Sequence, residues 1–164
     1  MHEPLQFDHV ALPCFDVAAS RRFYEDALGL RLLAAFTGDS ELWRGRFLHL
    51  AFGSEGGGAA LDLFAVEGLG RPEEALPPGI RHVALALASA EELATRRARL
   101  AAQGVWVSGP VAHGNHDSLY CFDPNGHQIE LTFRRAAPGD GETKAAQVVE
   151  RWCAEHDLPP SGGR

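Results

Sequence analysis

Positive charge is scarce in this chain. Fifteen Lys and Arg stand against 22 Asp and Glu, a formal net charge of −7. No basic patch or run of like charge breaks that balance, which argues against nucleic acid and anionic membrane as partners. Cysteine is scarce as well. Cys14, Cys121 and Cys153 are odd in number, far apart and in no metal-binding spacing, so a reducing cytoplasm is the simple reading. No apolar stretch reaches the roughly 18–20 residues that a membrane span needs. Met1 to Gln6 is short and polar, so no signal peptide is expected. What is present is 164 residues with 45 % hydrophobic content, enough for one domain or for two small halves fused into one. Eight histidines are the first compositional sign of chemistry.

Periodicity then gives an order of elements. Residues 7–12 alternate, with Phe7, His9 and Ala11 on one face and Val10 and Leu12 on the other, and Pro13 ends the strand. Asp16 can cap a helix over Val17 to Leu28, closed by Gly29. Three strands follow: Leu30 to Phe36, Trp43 to Phe52 and Ala59 to Val66, with turns at Thr37–Ser40 and Ser54–Gly58. On the last of these, Leu61, Leu63 and Ala65 oppose Ala60, Asp62 and Phe64. Glu67 to Gly79 reads as a Pro- and Gly-rich linker with one helical turn at Pro72 to Ala75.

The pattern then starts again. Ile80 to Leu87 is a strand, and Ser89 with Glu92 forms a capping box that opens a helix through Gln103, closed by Gly104. Val105 to Val107 is a short strand, and Gly109-Pro110 breaks it. Ser118 to Phe122 and His127 to Phe133 are strands joined by the turn Asp123-Pro124-Asn125-Gly126. His9-Val10-Ala11-Leu12 recurs unchanged as His82-Val83-Ala84-Leu85, and Ala60 to Phe64 corresponds to Gln128 to Thr132. Sequence, helix placement and strand order repeat together, which marks an internal duplication.

Each half has one helix to cover one sheet face. The other face carries His9 and Asp62 in the first half, and His82 and Glu130 in the second. If the two sheets pair about a pseudo-twofold axis, these residues converge in one concavity. Two histidines and a carboxylate on rigid strands, with positions left open, suit non-haem Fe(II) or Mn(II).

On these residues the chain resembles the vicinal-oxygen-chelate superfamily, which includes glyoxalase I, extradiol dioxygenases, fosfomycin-resistance proteins, methylmalonyl-CoA epimerase and bleomycin-binding proteins. The resemblance covers about residues 5–134 and implies an α+β fold: two paired βαβββ modules, 5–66 and 80–134, forming a curved sheet around a metal-containing cavity. The linker is 67–79, and the first domain is 1–134. The resemblance implies metal ligands at His9, His82 and Glu130, preceded by the run Asp123-Pro124-Asn125-Gly126. The cofactor it implies is one divalent ion, Fe2+ or Mn2+ before Zn2+, Ni2+ or Co2+.

A narrower resemblance is to the extradiol dioxygenase signature. His113, five residues, Leu119-Tyr120, two residues, Asp123-Pro124-Asn125-Gly126, three residues and Glu130 match it throughout. It implies His113 and Tyr120 as hydrogen-bond donors beside the bound substrate. The departure is Asp62. Ring-cleaving members have an acid–base histidine near that place, glyoxalase I a glutamate ligand, the epimerase a glutamine. Asp62 is open to three roles: ligand, water-bridged ligand or base. Two neutral histidines and one carboxylate leave a divalent ion at +1, suited to an anionic bidentate substrate; adding Asp62 brings the site to zero, suited to a neutral hemithioacetal. His49, on the face of Phe47 and Ala51, is a second candidate base.

The expected function is therefore a metal-dependent enzyme chelating adjacent oxygens of a small substrate, a ring-cleaving or related dioxygenase. The alternatives are a glyoxalase I-like lyase or isomerase, and a metal-free sequestering protein of the bleomycin-resistance type. His2, His116, His127 and His156 read as surface residues, and Trp43 and Trp106 as core or cavity wall. Residues 135–164 form an extension, with a helix over about 143–156 begun by Thr143 and able to cover its own module or a partner subunit. A homodimer is compatible with the linker, since such cavities form from two modules of one chain or of two.

Overall fold

The computed structural model describes residues 7–54, 60–72, 79–135 and 142–155. The chain runs β1 (His9–Pro13), α1 (Val17–Arg22), β2 (Arg31–Ser40), β3 (Gly45–Gly53), β4 (Ala60–Val66), β5 (His82–Ala86), α2 (Ala90–Ala102), β6 (Ser108–Ala112), β7 (His116–Phe122), β8 (Gln128–Arg134) and α3 (Glu142–Glu155). Two four-stranded sheets result, in the orders β1-β4-β3-β2 and β5-β8-β7-β6. The duplicated sequence thus builds a duplicated topology. In each sheet the first strand lies parallel to the last, His9 opposite Ala60 and His82 opposite Gln128. The tip of the glycine-rich turn, most of the helical turn expected at Pro72 to Ala75, His2 and His156 fall outside the described residues.

Local chemistry explains most boundaries and a few departures. Asp16 caps α1, its Oδ1 accepting from Ala19 N at 2.9 Å. The α-helix expected to run to Leu28 ends at Arg22 and continues as one π turn, Phe23–Ala27, with Leu28 N bonded to Phe23 O at 3.0 Å. That wider turn buries Phe23, Tyr24 and Ala27 together. The capping box at Ser89 does not form as expected: the Ser89 hydroxyl makes no cap bond, and Glu92 accepts from Ala88 N at 3.1 Å. The turn expected at Thr37–Ser40 is strand, because β2 pairs with β3 as far as Ser40–Gly45. Val105 to Val107 is not a strand. The strand lies after it and includes Gly109-Pro110, which marks a register irregularity between Ser108 and Val111. Gly109 has φ +98, and a Cβ there would stand 2.6 Å from Ser118 O, so only glycine fits this close approach.

The period-2 reading of the faces holds. Leu61 and Leu63 on β4, Leu50 and Phe52 on β3, Leu119 and Cys121 on β7, and Ile129 and Leu131 on β8 all turn into one cluster with Phe23, Tyr24, Leu28, Leu93 and Leu100 from the helical segments. Each fully buried large apolar side chain contributes about 1.5–3 kcal/mol by leaving water. Polar bonds hold the repeats together. The buried Tyr24 hydroxyl donates to Asp123 Oδ2 at 2.9 Å. Asn125 Oδ1 accepts from Phe15 N and Asp16 N at 2.7 and 3.2 Å. Arg96 donates to Leu28 O at 2.7 Å. His127, read as a surface residue, is half-buried, and its Nε2 lies 2.7 Å from Pro13 O. The DPNG turn is therefore a clip between the repeats as well as a hairpin. The helix-covered sides of the two sheets thus contribute to one core.

The described residues up to Phe133 make one compact unit, and those from Arg134 on belong to a second. In the second, α3 carries Val148, Val149 and Trp152 on one side. Among the described residues no helix is long and apolar enough to cross a membrane.

Candidate metal centre

On the open face of the second sheet, β5 supplies His82, β8 supplies Glu130, and β7 supplies Ser118 and Tyr120. His82 Nδ1 lies 3.1 Å from Gly79 O and Nε2 lies 2.9 Å from Glu130 Oε2. A carbonyl oxygen only accepts, so Nδ1 carries a ring hydrogen, and Nε2 is the nitrogen turned toward the carboxylate. A ring nitrogen and a carboxylate oxygen this close share either a proton or a cation. Glu130 is 6 % exposed. Its other oxygen, Oε1, accepts from the buried Ser118 hydroxyl and from Tyr120 OH, the latter at 3.2 Å. With the phenol hydrogen on Glu130, His113 Nε2 donates to the Tyr120 oxygen at 2.9 Å. Burial first, and then the Glu130 charge, push the Tyr120 phenol above its ordinary value. His82, Glu130, Tyr120 and His113 thus form one connected chain of contacts.

On the open face of the first sheet, β1 supplies His9, β4 Asp62 and β3 His49. His9 is exposed and gives its Nδ1 hydrogen to Asp8 Oδ1 at 2.8 Å, which leaves Nε2 as the lone-pair nitrogen. The hydrogen bond to Asp8, followed by the charge of Asp62, raises the His9 pKa. Asp62 Oδ2 lies 2.9 Å from His49 Nε2, and both side chains are almost buried. The contact is off-line for a hydrogen bond: both His49 ring nitrogens and Asp62 Oδ1 are buried without a hydrogen-bond partner. Such orphaned groups are rare in folded proteins and call for a missing partner.

The structure therefore brings the six site residues together as two groups: His9 with Asp62, and His82 with Glu130, Tyr120 and His113. Among the described residues of one chain, no three His, Cys, Asp or Glu side chains come together as a metal-ligand set. One functional neighbour was not singled out from the sequence: Ser118, which anchors Glu130 and stands two residues before Tyr120 on β7. The contact between His49 and Asp62, both named from the sequence, depends on strand register, which places His49 opposite Phe64 and Ala51 opposite Asp62.

By donor type, imidazole nitrogen with carboxylate oxygen, these residues would suit a divalent cation if three of them met, which they do not among the described residues of one chain. Both histidines commit Nδ1 to an acceptor outside the site and keep Nε2 for it, the usual support of a metal-bound imidazole. Glu130 is fixed by hydroxyl donors through one oxygen and presents the other to His82.

Residues 6–131 match the model of the Glyoxalase/Bleomycin resistance protein/Dioxygenase superfamily, and the chain belongs to that family. No curated protein sequence matches it. Among solved structures, a glyoxalase/bleomycin resistance protein/dioxygenase domain from a Frankia species is 23 % identical, with 81 % of this chain and 100 % of that one covered and a TM-score of 0.65. TnmS3, an antibiotic binding protein from a Streptomyces species, is 23 % identical over 82 % of this chain and 99 % of that one, with a TM-score of 0.61. A mutant of the fosfomycin resistance protein FosX from Listeria monocytogenes, in complex with Mn(II) and 1S,2S-dihydroxypropylphosphonic acid, is 16 % identical over 84 % and 95 %, with a TM-score of 0.57. These likenesses show the fold, which hosts enzymes and binding proteins alike.

Proposed function

We propose that this protein is a metal-dependent enzyme that chelates two adjacent oxygens of a small substrate, with ring-cleaving or related dioxygenase activity as the leading reading. The observation that supports it is the matched commitment of His9 and His82: each spends Nδ1 on an acceptor and keeps Nε2 for the open face. His9, His82 and Glu130 would hold one divalent ion, Fe2+ or Mn2+ by donor type. Because no three potential ligands meet among the described residues of one chain, the reading completes the set across two copies. His9 of one copy would join His82 and Glu130 of a second, across a homodimer.

Bound there, the ion would supply Lewis-acid or one-electron chemistry. The chain's own residues do the rest. Ser118 and Tyr120 orient Glu130. Tyr120, fed by His113, holds a proton on the rim of the second sheet, where it can pass to or from a substrate oxygen. Asp62, beside His49, is a carboxylate on the open face of the first sheet. It serves as base in the alternative lyase reading, which moves a proton between adjacent carbons.

The test has two arms. Elemental analysis of protein purified without added metal is expected to show about one divalent ion per chain. The Fe(II) form is expected to consume oxygen with a catechol and give a yellow product. Turnover of a hemithioacetal without oxygen uptake would assign the lyase reading. A second class, a ligand-sequestering protein without metal, is favoured by the lack of a ligand set within the described residues of one chain. Absence of metal binding after reconstitution would decide for it.

A further inference from the structure

The side of the second sheet away from Glu130 carries a cavity that the metal reading does not use. Alternation on β7 turns Ser118 and Tyr120 toward Glu130 and sets Asp117 and Leu119 on the other side. There α2 runs beside the edge strand β6. Ala90, Ala94, Ala98 and Ala101 recur at helical spacing, so one flank of α2 is built of methyl groups. These small side chains leave a trough of about 710 Å³ between helix and strand, with Pro110 on the far wall and Leu93 and Leu119 buried at the floor. Its size lies within the roughly 300–1,000 Å³ of small-molecule sites. Ala94, Ala98, Ala101 and Pro110 are exposed, and a homodimer joined through the open faces would leave them so.

The walls restrict what can occupy the trough. None of the described side chains that line it is aromatic, so nothing there stacks on a flat ring. β6 is a poor template for an added strand, because Pro110 has no N–H to give and the register slips between Ser108 and Val111. What the trough can bury is aliphatic chain. Two charged side chains line it, Arg97 and Asp117. Asp117 already has an interaction partner. Arg96 donates to Leu28 O at 2.7 Å and Arg99 Nε to Asp26 O at 2.8 Å, so both are committed to the end of the first helical segment. Arg97, between them in sequence, bonds to none of the described residues and stands exposed at the rim. Its planar fork of donors matches a carboxylate.

We propose that this cavity binds a small aliphatic monocarboxylate, with its chain in the alanine trough and its carboxylate on Arg97. Each methylene that enters the trough leaves water, and the guanidinium selects an anionic head over a neutral or cationic one. The site is independent of the metal reading, since the trough and Glu130 lie on opposite sides of the sheet.

The test is calorimetry on the full chain stripped of metal with EDTA, using octanoate as probe and 1-octanol and octylammonium as controls of equal chain length. Octanoate is expected to bind about ten-fold tighter than 1-octanol, and octylammonium more weakly than either. Arg97→Gln is expected to weaken octanoate about ten-fold and to leave 1-octanol unchanged. Ala94→Leu and Ala98→Leu fill the trough from exposed helical positions that leucine suits, and each is expected to weaken octanoate and 1-octanol alike, by about ten-fold. Arg22→Gln, on α1, is expected to change nothing. Far-UV circular dichroism reports whether each variant is folded. No binding of octanoate, equal binding of octanoate and 1-octanol, or wild-type affinity in folded Arg97→Gln or in both folded leucine variants would overturn the proposal.

Discussion

His82 and Glu130 face each other across the parallel pair β5–β8, Nε2 to Oε2 at 2.9 Å, while Gly79 O holds the opposite ring nitrogen of His82. If that contact is half of a cation site, deleting the imidazole removes the site without removing the strand. His82 is about one-third exposed, and no core contact depends on it. His82→Ala is expected to abolish stoichiometric metal binding, read by elemental analysis, while far-UV circular dichroism shows the sheet still folded.

Ser118 gives a finer test. Its hydroxyl is fully buried and bonds Glu130 Oε1, so it acts on metal only through the carboxylate it orients. Ser118→Ala is expected to weaken metal binding about 10- to 100-fold in a chelator competition while leaving one ion per chain at saturation. Unchanged affinity would mean that Glu130 is held well enough by Tyr120 alone.

Tyr24 and Asp123 join the two repeats through a buried hydroxyl. Tyr24→Phe removes that bond but leaves Asp123 its bonds from Asn125 N and His127 N. The cost is expected to be about 1–2 kcal/mol in urea denaturation. The pH dependence has a definite sign. Burial, and next the Asp123 charge, raise the Tyr24 phenol above 10. The folded state then holds this proton more tightly than the unfolded state. The contribution is complete below pH 10 and is lost as pH rises beyond it. Wild type is expected to lose stability more steeply than Tyr24→Phe above pH 10.

Asn125 binds the start of α1 with its oxygen and Ser20 Oγ with its nitrogen, the latter at 2.8 Å. Asn125→Ala strands the Phe15 and Asp16 amides at the seam between the repeats. A loss of about 2–3 kcal/mol is expected, measured by the same denaturation.

Much of this was readable from the chain. Alternation placed His9 with Ala11, Asp62 with Phe64 and Glu130 with Thr132 on the faces they occupy, because each strand has one side in a core. The repeated His-Val-Ala-Leu marked two equivalent first strands. What stayed hidden depends on partners distant in sequence. The π turn at Phe23 follows from the need to bury Phe23, Tyr24 and Ala27 at once. Gly109-Pro110 reads as a breaker, but its strand tolerates a register slip against β7. Asp62's pairing with His49 is set by β3–β4 register. That no three potential ligands meet among the described residues of one chain depends on how the two sheets pack, and no local pattern encodes that packing.

The central claim, that a metal site takes His9 from one copy and His82 with Glu130 from another, is tested most directly by subunit complementation. His9→Ala and His82→Ala chains carrying different tags are co-expressed, the mixed dimer is purified through both tags, and its metal is counted after reconstitution. Each homodimer is expected to bind none. The mixed dimer is expected to bind one ion, because one of its two shared sites keeps all three ligands. A mixed dimer that binds none, beside a wild type that binds two, would contradict the shared site, and a wild type that binds none would contradict the metal centre itself.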